Sequence, residues 1–130
     1  MEEHLLRVIV SRRGKIRPTE FRLRDGEVGL SLFRQVQRPD STAIIEAVLA
    51  AGKRGELTVV EIPVAAIREL GLRIVPTPGG TTDPAVNAIH VEVRPSRWQQ
   101  LALRLRGQKV HDWFNEAITP HLAVSARFVE

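Results

Sequence analysis

Two hydrophobic periods run along this chain, and the places where one gives way to the other mark out its elements. Leu5 to Val10 is apolar and β-branched apart from Arg7, which predicts a buried first strand. Ser11 to Lys15, with Gly14 at its bend, reads as a turn. Pro18 fixes its own backbone and holds Arg17 extended, leading into a second extended segment from Glu20 to Arg24 with Phe21 and Leu23 facing inward. Asp25-Gly26 is a turn signal and Gly29 to Phe33 returns as a third strand, so a hairpin is expected here.

Pro39-Asp40-Ser41-Thr42 predicts a helix start, because Asp and Ser oxygens accept hydrogen bonds from the free amides of a first turn. Ile44, Ile45, Val48 and Leu49 follow at helical spacing, and Gly52 supplies the stop. Leu57 to Ile62 is a β-branched strand, Pro63 opens a short helix carrying Val64, Ile67 and Leu70, and Gly71 closes it. Leu72 to Val75 is a further short strand. Pro76 to Pro84 has three prolines and two glycines and predicts a loop of constrained shape, a kind of segment that often carries function.

Asn87 to Val93 alternates, with Ile89, Val91 and Val93 on one face and Ala88, His90 and Glu92 on the other. Ser96 caps a helix whose Trp98, Leu101, Ala102 and Leu105 form an apolar stripe suited to the core, opposite Arg97, Gln100 and Arg104. Val110, Trp113, Phe114, Ala117 and Ile118 make the most regular amphipathic pattern, ended by Thr119-Pro120, with a last strand from Leu122 to Phe128. This order predicts an α+β fold: one domain over residues 1–130, a mixed sheet of about five to six strands and about three to four helices packed on it. Its core spans 5–93 and a helical portion follows over 96–118. The strand-helix-strand from Leu57 to Val75 fits a parallel crossover, although its helix is short for one.

Composition narrows the class. Apolar residues are 43% and charged residues 26% of 130, which is ordinary for a globular chain. No apolar run approaches the ~20 residues of a membrane span, and the acidic start Met1-Glu2-Glu3-His4 lacks the basic flank of a signal peptide, so a cytoplasmic protein is expected. Zero cysteines exclude disulfides, thiolate nucleophiles and cysteine-ligated zinc. The net charge is +4. Arg7 to Arg34 holds eight cations and three acids, and Arg94 to Lys109 holds five cations and no acid. If these blocks meet they form a positive face toward phosphate or an acidic partner, with Arg12, Arg13, Lys15, Arg97 and Arg104 as candidate anion contacts.

Candidate chemistry is sparse. None of His4, His90, His111 and His121 is paired at helical spacing with another, so no metal site and no cofactor is expected. His90 stands out, being mid-strand just after the Pro/Gly loop, where imidazole can act as a base or an anion contact. His111 and Asp112 point about 100° apart on a helix and are not expected to pair; His111 and Asn115 share a face, and both read as solvent-facing. Ser31 and Ser41 lack a nucleophile-elbow setting, and Ser41 is better read as a cap. Gly79-Gly80-Thr81-Thr82-Asp83 lacks the lysine and spacing of a P-loop. Trp98, Trp113 and Phe114 are candidate interface residues for self-association.

Gly29-Leu30-Ser31-Leu32-Phe33, Val60-Glu61-Ile62-Pro63-Val64, Ile67-Arg68-Glu69-Leu70-Gly71-Leu72, Val75-Pro76 and His90 together resemble a family of small uncharacterised bacterial proteins, over roughly residues 16–93. The resemblance implies a shared fold, no established activity, and interest in Ser31 and His90; the helices after Val93 fall outside it. The function expected from the chain is a non-enzymatic binding module, engaging a protein or nucleic-acid partner through its arginines and C-terminal helices. The rival expectation is a small enzyme acting on a nucleotide or phosphate-bearing substrate, with Arg17, Ser31 and His90 converging beside the Thr77–Asp83 loop.

Overall fold

A computed structural model describes residues 3–10, 14–35 and 41–129, without the side chain of Ser41. Six strands form one sheet: β1 (His4–Val10), β2 (Leu30–Arg34), β3 (Leu57–Pro63), β4 (Arg73–Pro76), β5 (His90–Arg94) and β6 (Arg127–Phe128). They lie in the order β4-β5-β2-β1-β3-β6, and every neighbouring pair is antiparallel. The fold is α+β. β3 and β4 are separated by three strands, so the Leu57–Val75 segment is not a parallel crossover.

Alternation along the strands builds two cores, one on each face. Leu5 and Ile9 of β1, Leu30 and Leu32 of β2, and Val91 and Val93 of β5 point to the first, while Leu6, Val8 and Phe33 point to the second. The first core is covered by α2 (Val64–Glu69), by a 3-10 turn at Pro18–Phe21, and by the C-terminal helices. α1 (Ser41–Ala50) and α3 (Pro84–Ala88) cover the second through Ile44, Ala47 and Val86. Pro39, Asp40 and the Ser41 side chain, the expected start of α1, lie outside the described residues, as do Ser11 to Arg13 of the first turn.

Several elements differ from expectation. The segment expected as a second strand is instead the 3-10 turn at Pro18–Phe21 followed by an extended stretch without a strand partner, so no hairpin with β2 forms. Asn115, far along the chain and expected to face solvent, is half-buried and takes the place of that partner: its Nδ2 donates to Leu23 O at 2.9 Å and its Oδ1 accepts from Leu23 N at 2.7 Å. Asn87 and Ala88 belong to α3, because Asp83 caps it by accepting from Ala85 N and Val86 N and Pro84 supplies the first-turn backbone. Ile89 therefore packs in the second core, apart from Val91 and Val93.

α4 (Arg97–Leu105) starts at Ser96 with a reciprocal capping box to Gln99. Its expected inward stripe faces out, and Leu103 is the buried residue. α5 (Val110–Trp113) runs through a wider π turn at Phe114–Ile118 into α6 (Thr119–Ser125), so Thr119-Pro120 does not end the helix. Pro120 needs no amide bond in the first turn of a new segment. Leu122 is consequently helical and β6 is short. Phe114, Ile118 and Leu122 complete the first core.

Phe114 is fully buried, and Phe114→Ala is expected to lower unfolding free energy by about 3–5 kcal/mol in urea titration. Asp83→Ala, which removes only a helix cap, is expected to cost about 1 kcal/mol in the same measurement.

Candidate anion-binding pocket

β1 and β2 are partnered over only two residue pairs, Leu5 with Arg34 and Leu6 with Phe33. Gln35 N donates to His4 O at the start of this ladder, and hydrogen-bonded pairs recur every second residue, so the register would make Val8 and Ser31 such a pair. They are not paired. Lys53 Nζ donates to Val8 O at 3.0 Å, and Arg7 Nη1 donates to Ser31 O at 2.8 Å. Two side-chain cations thus stand where two backbone amides would have been. Farther along the same edge Val10 N donates to Glu20 Oε2 at 3.2 Å, and Arg7 Nε donates to Glu20 O at 3.2 Å.

Local structure explains how the cations arrive. Gly52, with φ of 111°, ends α1, and the six-to-one bond from Lys53 N to Val48 O turns the chain back toward β1. Arg7 shares a strand face with Leu5 and Ile9, which aims it at the Pro18–Phe21 turn carrying Glu20.

The split opens into a cavity of about 270 Å³. Arg7, Arg22, Arg24 and Lys53 line it with one carboxylate, Glu27. Glu27 is engaged locally, its Oε1 accepting from Arg24 N at 2.6 Å. Among the described residues none of the four cations forms an ion pair. Burial lowers the Arg7 guanidinium to about 10, opposed by Glu20 and Glu27. Burial, together with Arg7, lowers the Lys53 ammonium to about 8, with Glu20 as the opposing charge. Both groups are thus short of water, and neither is in a salt bridge among the described residues.

The opposite wall comes from β2, β5 and the Pro/Gly loop. Ser31 and Phe33 share one face of β2, and His90 stands opposite Phe33 with ring centroids 5.3 Å apart, edge to face. His90 Nδ1 lies 2.7 Å from Thr77 O and 2.9 Å from Thr77 Oγ1, which together tie the ring to the first residue of the loop. Asn87 clamps the loop: Asn87 Nδ2 donates to Thr81 O at 2.8 Å, Asn87 Oδ1 accepts from Thr81 N at 2.8 Å, and Gly79 N donates to Asn87 O at 3.2 Å. Gly79, Gly80 and Thr81 are thereby held as a fixed rim. Gly29 forms part of the floor, where a Cβ would come within 2.6 Å of Glu92 Oε1.

Of the candidates read from the chain, Ser31 and His90 meet in this pocket beside the Pro/Gly loop. Arg17 does not; it is exposed at the start of the 3-10 turn. Lys15 and Arg97 are exposed, and Arg12 and Arg13 lie outside the described residues. Arg104 lines a second hollow, of about 650 Å³, where Arg94 and Lys109 face the Asp25–Val28 turn, so the first block meets the second there through its acids Asp25 and Glu27 and none of its cations. Trp98 is exposed, Trp113 is half-buried and Phe114 is core. His111 is buried, not solvent-facing: Gly26 N donates to its Nδ1 at 3.2 Å, and its Nε2 lies 3.4 Å from Asp25 Oδ1 and 3.3 Å from Asp112 Oδ1. Arg7 and Lys53 went unread as site residues. Arg7 left a signal, a lone cation inside an apolar strand; Lys53 left none.

No protein-family model, curated protein or solved structure matches the chain. The likeness over residues 16–93 therefore gains no support, and the pocket is interpreted from its own chemistry. Among the described residues no group of three or more His, Asp or Glu could hold a metal ion, and no helix is long and apolar enough to cross a membrane.

The lowered Lys53 carries a consequence for stability. Between pH 8 and 10.5 the unfolded chain holds the Lys53 proton more tightly than the folded one. The cost of burying the charge is complete below that window and gone above it. Relative to Lys53→Met, the wild-type protein is expected to gain stability as pH rises across it, read from urea unfolding; parallel curves would contradict the burial.

Proposed function

We propose that this protein binds a small molecule carrying a phosphate group in the split between β1 and β2. The observation that carries the reading is the charge imbalance of the cavity: four cations line it with one carboxylate, and none of the four is ion-paired among the described residues. Arg22 and Arg24 are exposed, but Arg7 and Lys53 bear the cost of burial with backbone carbonyls as their hydrogen-bond partners, and an anion that supplies counter-charge beside them is held strongly. Arg7 and Lys53 anchor the phosphate from the interior, and Arg22 and Arg24 close over it from the rim.

Size and lining refine the ligand. A volume of about 270 Å³ is at the small end for ligand sites, which favours a compact molecule over a nucleic-acid strand or a protein surface. Val8, Phe33, Val48 and Ala51 give the cavity an apolar side, suited to a body attached to the phosphate. Ser31 and His90 supply hydroxyl and imidazole groups for orienting that body. Of the two functions expected from the chain, this pocket supports the phosphate-bearing ligand, with Arg7 and Lys53 in the place proposed for Arg17.

Isothermal titration with AMP, whose phosphate is a dianion above pH ~7, tests the reading. Saturable binding is expected, weakening as pH rises through about 8 as Lys53 loses its proton. Lys53→Gln and Arg24→Gln are each expected to weaken it about tenfold. Affinity unchanged in both variants would overturn the assignment.

A further inference from the structure

We propose that α4 is a membrane-docking ridge: Trp98, Leu101 and Leu105 enter the surface of an anionic bilayer while the arginines beside them contact lipid phosphates. Trp98 is 80%, Leu101 43% and Leu105 80% exposed, on a helix that is otherwise fixed to the body of the protein. Leu103 is buried beneath it, and Gln99 Nε2 donates to Leu70 O at 2.8 Å. The capping box at Ser96 holds its first turn.

Successive helical residues turn by about 100°, so with Trp98 at zero, Leu105 lies near −20° and Leu101 near −60°. Gln99 and Leu103, the residues that grip the body, lie near 100° and 140°. The apolar line therefore points almost directly away from the protein. Arg97 and Arg104, near −100° and −120°, border it on one side, and Arg106 in the capping turn, near 80°, borders it on the other. An apolar ridge flanked by arginines is the arrangement of a helix lying in a membrane interface.

Charge selects the occupant. The chain has no acid between Glu92 and Asp112, while Arg94, Arg97, Arg104, Arg106 and Lys109 fall within that stretch. A second copy docked through this face would set like charges against each other. Nucleic acid would satisfy the arginines and leave two leucine side chains without an apolar counterpart. An anionic bilayer satisfies both, with phosphates for the arginines and acyl chains for the leucines.

The test uses the full chain, the single substitutions Trp98→Ala and Leu105→Asp, and vesicles of phosphatidylcholine with or without phosphatidylserine. Co-sedimentation is expected with phosphatidylserine vesicles only, declining as salt rises. Each substitution is expected to weaken it about tenfold. In a Trp113→Phe background, Trp98 emission is expected to shift to the blue on binding. AMP binding is expected to be unchanged in the Trp98 and Leu105 variants, which separates this inference from the pocket. The proposal fails if phosphatidylserine vesicles leave the protein in the supernatant, or if Leu105→Asp binds them as wild type. It fails equally if light scattering shows a dimer that Leu105→Asp dissolves, or if an oligonucleotide binds through Trp98.

Discussion

The site depends on an unfinished ladder. β1 and β2 meet for two residue pairs and then part, although both run on in the sheet with other partners. Backbone carbonyls inside a protein must be hydrogen-bonded, and at this split Val8 O and Ser31 O are supplied by an ammonium and a guanidinium. Amides would have closed the sheet without adding charge. The cations satisfy the two carbonyls and leave the strands parted, and their positive charges give the cavity its chemical character.

The rest of the molecule can be understood as holding that split open. α1 lies against the second core through Ile44 and Ala47, and its C-terminal turn delivers Lys53. The Pro18–Phe21 turn is anchored by Phe21 in the first core and brings Glu20 to both Val10 N and Arg7. Asn87 fixes the glycine rim across the opening. Cations confined among core residues burden the folded state, and such local conflicts in an otherwise consistent structure are where binding sites are found.

Much of the scaffold was legible because its information is local. The apolar, β-branched runs of β1 and β3, the left-handed Gly71 with φ of 77°, and the Ser96 cap can all be read within a few residues. What stayed hidden depends on contacts distant in sequence. Leu23 is tied by Asn115 rather than by a strand, and nothing near Leu23 announces it. α4 shows its apolar stripe plainly, but which side meets the body is decided by Leu103 and by the Gln99 bond to Leu70. In the pocket, Ser31 and His90 were legible as polar residues within apolar strands, while Lys53 sits after a helix stop where a solvated lysine looks the same.

The central claim is that the split between β1 and β2 is where an anion sits, and an amide chemical-shift titration of the ¹⁵N-labelled protein with AMP tests it most directly. The account predicts saturable shifts at Ser31, Lys53 and the Gly79–Thr81 rim, with little change along α4. Shifts confined to α4 or to the hollow beside Arg104, with the residues of the split unmoved, would contradict it.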